Sequence, residues 1–393
     1  MHKWLALTWT VSNRFGWGIY GLNLVLDLLK RGQPVPVCLD RIAVESLSPE
    51  TIETLHSVIS FQEQNLQHMS RAGQVANLKE TLLLHAMGNN MEWSLLSSSF
   101  LGETNVGVIF SEYTDFSPEA VERASRLDGI VAGSTWNAEV LKNVGLEKVA
   151  AVFQGVNIDR FRPRPKKGVY GDKFVVFSGG KLDFRKGQDI VLAAFQQFAQ
   201  RHDDALLVTA WQNLWPLTAL QIIHSPHLGV MPKVTAKNEL NITEWATAHG
   251  IPAEQFVDVG MRPNEDMPNI LREADLALFP NRCEGGTNLV AMETMASGVP
   301  CVIAANTGQL DLIGPDQCYA LETQGPVHLP NAGVDGWGES SVEEILEKME
   351  QAYTDRDQAK RIGQNGADFM RNWSWANQIE KLLNALDGFC PNT

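Results

Sequence analysis

Two acids, Glu284 and Glu293, bracket the stretch Gly285-Gly286-Thr287-Asn288-Leu289-Val290-Ala291-Met292. A loop of small polar residues here opens an almost wholly apolar helix. Asn288 or Thr287 suits its start, Gly298 its left-handed stop, and Pro300 lies just beyond. A helix apolar on nearly every face is a buried one. Glu293 is its only charge. Burying a carboxylate is costly unless it is paired or hydrogen-bonded. The helix start beside it is itself an anion site. A second cluster lies in Ser178-Gly179-Gly180-Lys181-Leu182-Asp183-Phe184-Arg185-Lys186-Gly187. There, glycines follow an apolar run and three cations precede another helix. Gly179 and Gly180 permit close backbone approach. Lys181, Arg185 and Lys186 suit a diphosphate at a helix N-terminus. A ligand carrying both phosphates and hydroxyls would use both clusters.

Three further patterns invite chemistry. Gly16, Gly18 and Gly21 have the Gly-x-Gly-x-x-Gly spacing of a dinucleotide fingerprint, with Asp40 at the acidic position. A nicotinamide reading is therefore formally open. The long segment Trp9 to Phe15 and bulky Trp17 favour a glycine-rich loop that admits a substrate to the backbone. His85 and Glu112 follow apolar runs, where acid–base groups at strand ends belong. A satisfied structural histidine is the simpler reading of His85, whereas an acid so soon after an apolar run marks Glu112. Asp355-Arg356-Asp357 has a chelating spacing but sits in a charged helical stretch, and reads as a solvated face.

The elements that must position these residues alternate strand and helix. Strands are expected at 4–8, 35–39, 81–85, 107–110, 129–132 and 149–153, then at 174–177, 205–209, 255–259, 276–279 and 301–304. Helices are expected at 22–30 and 118–126 in the first half, and over 342–370 and on to about 386 near the end. Such alternation predicts an α/β chain of two doubly wound parallel sheets. The break falls in Arg162-Pro163-Arg164-Pro165-Lys166-Lys167-Gly168. The expected domains are 1–163, a linker 164–172, 173–371, and a terminal helical segment 372–393. Parallel sheets bind ligands at strand carboxyl ends, and two facing domains would make a cleft.

The 393 residues suffice for two cores. The net charge of −14 falls as −1 on residues 1–170 and −13 on the rest, which disfavours nucleic acid. Five cysteines without a Cys-x-x-Cys pair read as free thiols in a reducing compartment, not a disulfide frame or zinc site. No apolar run has the length of a membrane span, and no signal peptide is read. The expectation is a cytoplasmic protein.

Together these residues resemble the retaining glycosyltransferases of the GT-B fold, especially the group called family 4. The resemblance covers nearly the whole chain. Beyond the clusters above it rests on Gly155-Val156-Asn157, Arg160-Phe161, Val257-Asp258-Val259-Gly260, Ala274-Asp275-Leu276-Ala277-Leu278-Phe279-Pro280 and a Trp-containing terminal helix. It implies a donor that is a nucleotide-diphospho-sugar, a UDP- or GDP-sugar foremost, and no cofactor or catalytic metal. By this resemblance Glu293 holds the ribose hydroxyls. Glu284 and the amides of Gly285, Gly286 and Thr287 contact the transferred sugar and distal phosphate. Lys186, with Lys181 or Arg185, neutralises the leaving diphosphate. Gly180, Asn288 and Leu289 complete the donor set, with Gly16 and Gly18 on the first domain. The terminal helix is expected to return to the first domain.

The chain departs from the family pattern in three places. Eight residues, not seven, separate the glutamates. Lys181 replaces a common Arg. Glu112 stands near where many members have His, so that His85 and Glu112 compete for the reacting centre. The base would be read near 264–267 or 211–213. The acceptor, a hydroxyl on a glycan, a lipid-linked or a small molecule, is expected on the first domain, with peripheral membrane contact open there. Its aromatics Trp9, Phe15, Trp17 and Tyr20 could stack on it or form core. A phosphorylase or epimerase of the same fold and a non-catalytic partner subunit remain alternatives.

Overall fold

The computed structural model describes residues 2–69, 75–227 and 229–390. Residue 1 and the last three residues of the expected 372–393 segment lie outside the described residues. The chain divides into two compact units, Met1–Gly155 with Trp373–Thr393, and Val156–Asn372.

In the first unit six strands form one parallel sheet. They are β1 (Trp4–Leu7), β2 (Val35–Cys38), β3 (Ala76–Met87), β4 (Phe100–Ile109), β5 (Gly129–Ala132) and β6 (Val149–Ala151), in the order β2-β1-β3-β4-β5-β6. β3 and β4 are longer than apolar runs suggest. Their first halves alternate exposed and covered residues, and the β3/β4 register shifts between Leu78 and Leu82. An apolar run reports only strand buried on both faces, so these half-exposed stretches were invisible. His85, expected at a strand end, lies inside β3.

The first helix also starts earlier than expected, at Gly16 rather than Leu22, and runs to Arg31. Gly32, with φ 79°, ends it and donates its N–H to Leu28 at 2.9 Å. The three fingerprint glycines therefore lie within its first turns, not in a loop before it. Ser117, Ser134 and Ser374 cap later helices of this unit through their side chains, Pro118 following Ser117 at the first helical position. The terminal helix Trp375–Phe389 belongs to this unit. Trp375 stacks on Tyr20 and Trp373 on Phe153, with centroids 5.9 and 4.7 Å apart. Gly155 leaves room for the Trp375 backbone, which a Cβ would meet at 2.5 Å.

The second unit repeats the scheme with β7 (Phe174–Gly179), β8 (Ala205–Ala210), β9 (Phe256–Asp258), β10 (Leu276–Phe279), β11 (Cys301–Ala304) and β12 (Tyr319–Leu321). Their order is β12-β11-β10-β7-β8-β9, every pairing parallel. β7, β10 and β11 are buried along their whole lengths, as strands covered by helices on both faces must be. β12 was not expected; three residues at a sheet edge leave too short a pattern. β13 (Gln324–Gly325) and β14 (Glu339–Ser340) add a short antiparallel pair.

The Pro- and Lys-rich connector is tied down within this unit. Buried Glu273 accepts the backbone N–H groups of Lys167, Gly168 and Val169 at 2.7, 3.0 and 3.1 Å. Among the described residues no helix is long and apolar enough to cross a membrane. The five cysteines are free. Asp355, expected on a solvated helix face, instead caps the helix Arg356–Met370 at the Gln358 N–H.

Leu382, 1 % exposed, plants the terminal helix in the first unit. Leu382→Ala is expected to cost this unit about 2–5 kcal/mol, the range for emptying a buried leucine site. Urea unfolding read by far-ultraviolet dichroism checks it; an unshifted transition would show that the helix is held by its rim alone.

Candidate donor-binding site in the second unit

β7 is the first strand of its sheet, with β8 on one side and β10 on the other. The strand order reverses between β7 and β10, and ligands of open α/β sheets bind at such a switch point. The loops that leave these strands, 180–187 and 280–288, carry the two clusters. They touch at Gly187, where φ is 69° and a Cβ would stand 2.3 Å from the Pro280 carbonyl oxygen. Backbone bonds join them further, from Arg282 N–H and Cys283 N–H to the Arg185 carbonyl at 2.7 and 3.3 Å.

Lys186 and Glu284 meet across this junction in a short ion pair. Glu284 also accepts from Arg185 Nη1 at 3.1 Å and from Asn281 Nδ2. Burial works against the Glu284 charge, and the Lys186 and Arg185 charges outweigh it, so its pKa lies below the ordinary carboxylate value. Lys181, whose side chain is 37 % exposed, reaches Asp183 at 3.3 Å. Three cations face two carboxylates here, a net charge of one positive. Asp183 caps the short 3-10 turn Phe184–Lys186, and the helix Gln188–Ala199 starts at Gly187 without a side-chain cap. Gly180, with φ 118°, lies against the Lys186 stem. Gln188 Nε2 donates to the Gly180 and Lys181 carbonyls at 3.3 and 2.9 Å.

The loop after Glu284 rests on a shelf made by residues 306–309. Thr307 Oγ1 accepts the Glu284 N–H at 2.9 Å, and Gly308 N–H donates to the Glu284 carbonyl at 3.0 Å. A Cβ on Gly308 would stand 1.9 Å from the Gly286 oxygen, so glycine is required. Asn288 adopts φ 62°, a left-handed conformation asparagine tolerates. Its side chain receives the Ala291 N–H at 3.4 Å and donates to Gln309 at 2.9 Å. Thr287 and Leu289 are buried, and Thr287 Oγ1 bonds Met292 Sδ at 3.0 Å.

The helix Leu289–Ala296 is buried except at Val290, as its all-round apolarity required. Glu293, 5 % exposed, accepts from Asn264 Nδ2 at 2.6 Å. Asn264 Oδ1 in turn accepts from Arg160 Nη1 at 3.4 Å. Burial raises the Glu293 pKa to about 8, the Asn264 bond and the Arg160 charge opposing only in part. The two glutamates thus differ in kind: one ionised between cations, one neutral at pH 7.

Sequence reasoning missed Asn264 as a partner of Glu293, and with it Arg160, Asn281, Arg282, Thr307 and Gln309. The segment around Asn264 was singled out for reading the base, which named the place without the bond. The shelf had no signal, since Asn306-Thr307-Gly308-Gln309 reads as an ordinary loop.

The first unit holds the other candidates. His85 is fully buried inside β3, with Nε2 3.0 Å from Asn105 Oδ1 and its ring stacked on Trp93. Burial lowers its pKa, and the Asn105 bond opposes this. This is the geometry of a core histidine. Glu112 is half-buried in the loop after β4, where Asn89 Oδ1 accepts its N–H at 3.0 Å. Asn89 and Asn137 also hold Ser111, which fixes the loop. Gly18 packs on Ser12, where a Cβ would come within 2.6 Å, while Gly16 is exposed with open space at its Cβ position. At Gly18 the glycine is thus required by helix-on-loop packing. Asp40 receives the Thr10 hydroxyl at 2.9 Å. Trp9 and Tyr20 are core, stacked at 5.7 Å, whereas Phe15 and Trp17 are half-buried.

The raised Glu293 pKa links this site to stability. The native state keeps a proton that the unfolded chain releases near pH ~4.3. Stability therefore falls as pH rises from there through about 8. Glu293→Gln, neutral at every pH, is expected to exceed the wild type by ~2–4 kcal/mol at pH 8.5 and to differ much less at pH 5. Urea titrations at the two pH values check this; equal differences at both would place Glu293 in a solvated setting.

Comparisons with known proteins give the family and the fold. Residues 159–369 match the family described as glycosyl transferases group 1. The chain is 29% identical over 242 residues to a GDP-mannose-dependent alpha-(1-6)-phosphatidylinositol monomannoside mannosyltransferase of Mycobacterium tuberculosis, covering 60% of this chain and 54% of that protein. It is 25% identical over 283 residues to a D-inositol 3-phosphate glycosyltransferase of Nocardia farcinica, covering 68% and 55%. The chain thus spans about half the length of the curated relatives it matches. Among solved structures, a sucrose-phosphate synthase from Thermosynechococcus elongatus superposes with a TM-score of 0.66 at 14% identity, covering 98% of both chains. HepE of Anabaena, solved with UDP and glucose, gives 0.65 at 13%, covering 98% of this chain and all of its own. These neighbours place the two doubly wound sheets in the GT-B fold. With more than half its length matched, the chain belongs to the group 1 glycosyl transferase family.

Proposed function

We propose that the protein moves a sugar from a nucleotide-diphospho-sugar to an acceptor hydroxyl, with retention of anomeric configuration and without a catalytic metal. The observation that carries this is the pairing, at one switch point, of the Lys186–Glu284–Arg185 cluster with buried Glu293. Cations and a helix start suit a diphosphate; a neutral carboxyl beside them suits ribose hydroxyls. The donor nucleotide is guanosine or uridine diphosphate. One relative is named for GDP-mannose and one structural neighbour was solved with UDP. The acceptor is a polyol or sugar hydroxyl, in keeping with the inositol-based names of the relatives.

In this reading the donor diphosphate draws Lys186 and Arg185 away from Glu284. The anomeric C1–O bond then breaks, and its electron pair goes to the diphosphate. The acceptor oxygen bonds C1 from the same face, and its proton passes to a phosphate oxygen. Cations and N–H groups around the leaving group then lower the barrier, because charge grows there in the transition state. Glu284, released from the cations, faces the sugar. No proton transfer is given to His85, which is fully buried with Nε2 on Asn105. Glu112 remains the acid proposed for the acceptor side.

Lys186→Ala is expected to lower turnover by at least ~10²-fold, the scale for losing one transition-state contact. Glu293→Ala is expected to weaken nucleotide binding more than turnover at saturating donor. A thermal-shift panel of GDP- and UDP-sugars, followed by transfer assays with and without inorganic phosphate, identifies the donor and tests the reaction class. Normal turnover in folded Lys186→Ala would remove the diphosphate assignment, and phosphate-dependent sugar release would make the protein a phosphorylase.

A further inference from the structure

Arg282 has no place in the chemistry above, yet it is the most completely engaged side chain near the site. It is 0 % exposed. Its Nη1 and Nη2 donate to the two Asp189 oxygens at 2.9 and 2.6 Å. Nε and Nη2 donate to the two Glu339 oxygens. Nη1 also donates to the Phe184 carbonyl at 2.6 Å, and the guanidinium lies 4.2 Å from the Phe184 ring centre. Asp189, likewise buried, accepts from Ser225 as well; His227 Nε2 stands 2.9 Å from Glu339. Asp189, His227 and Glu339 are spaced to hold a cation, and the guanidinium meets that need from within.

The placement in sequence gives the network its meaning. Arg282 precedes Glu284 by two residues, and Phe184 precedes Lys186 by two. The guanidinium thus fastens the lysine's turn and the first turn of the Gln188–Ala199 helix to the loop that carries the glutamate. Nothing in the network reaches Asn264 or Glu293.

We infer that Arg282 is a positioning residue for the diphosphate half of the donor site, holding Lys186 and Glu284 in register while leaving the ribose half untouched. This rests on the nucleotide-sugar reading of the site. Lysine in its place keeps one charge but cannot serve two carboxylates and a carbonyl in forked geometry. The register of the two loops should then loosen, and small misplacements at a reacting centre are costly.

The test is calorimetric binding of UMP, GMP, UDP and GDP to the full chain, wild type and Arg282→Lys. A triple variant, Arg282→Met with Asp189→Asn and Glu339→Gln, removes the buried ion network as a unit should the single variant fold poorly. Loss of position is expected to weaken diphosphate binding on the order of tenfold or more while monophosphate binding stays within about twofold, with a parallel fall in kcat. Equal weakening of both nucleotide classes in a folded variant, or no weakening, would reduce Arg282 to a structural residue. Wild-type protein that binds none of the four nucleotides would instead overturn the underlying reading of the site, and this inference with it.

Discussion

The second unit depends on holding charge out of water. Arg282, Asp189, Glu284 and Glu293 are all at most 6 % exposed, within the loops and helix starts that leave two adjacent strands. Desolvating such groups is expensive, and their pairing returns the cost only when geometry is complete. Here it is complete for three of them: Arg282 meets two carboxylates and a carbonyl, and Glu284 meets two cations and an amide. Deleting one partner of a buried pair typically costs roughly 3–5 kcal/mol, while replacing the whole set by apolar groups is often harmless. A fold in need of stability alone had the cheaper option. Retaining the ions makes sense if their positions matter.

Glu293 is the instructive exception. It sits in the same helix that Glu284 leads into, but its carboxyl accepts from a neutral amide, that of Asn264. Burial therefore neutralises it, with a pKa of about 8, whereas cations keep Glu284 ionised. Two carboxyls set in opposite protonation states by their surroundings can serve two different ends of one ligand. The neutral one can both donate to and accept from hydroxyl groups; the ionised one only accepts.

Much of this was legible before any coordinates. Apolar runs located β5, β10 and β11 residue for residue, because strands covered on both faces leave no other pattern. The helix with one charge announced a buried acid at Glu293. The turn bearing Lys186 and the loop bearing Glu284 followed from glycine and charge, which are local properties. What was hidden is what joins distant segments. Asn264 lies 29 residues from Glu293 and Thr307 lies 23 from Glu284, and neither type is distinctive in a loop. Arg282 was hidden differently: an arginine beside Cys283 and Glu284 reads as a solvated cation, and only the folded chain brings Asp189 and Glu339 to it. Spacing alone does not separate a phosphate loop from helix packing, and at Gly18 the structure shows packing against Ser12.

The same contrast explains why the donor end of the proposed reaction is the better defined. Phosphates and ribose are recognised by cations, backbone N–H groups and carboxyls, whose physics leaves traces at strand ends in any such sheet. Among its described residues the first unit offers no comparable buried charge cluster on its strand ends. Its strand His85 is sealed behind Trp93 and Asn105, and of its early aromatics Trp9 and Tyr20 are spent on core stacking. What its loops retain is a half-buried acid, Glu112, on a backbone braced by Asn89 and Asn137, with half-buried Phe15 and Trp17 and the exposed helix start at Gly16. An acceptor read by such a surface would be chosen by shape and ring stacking more than by charge. The relatives matched at 25–29% identity carry names for different acceptors.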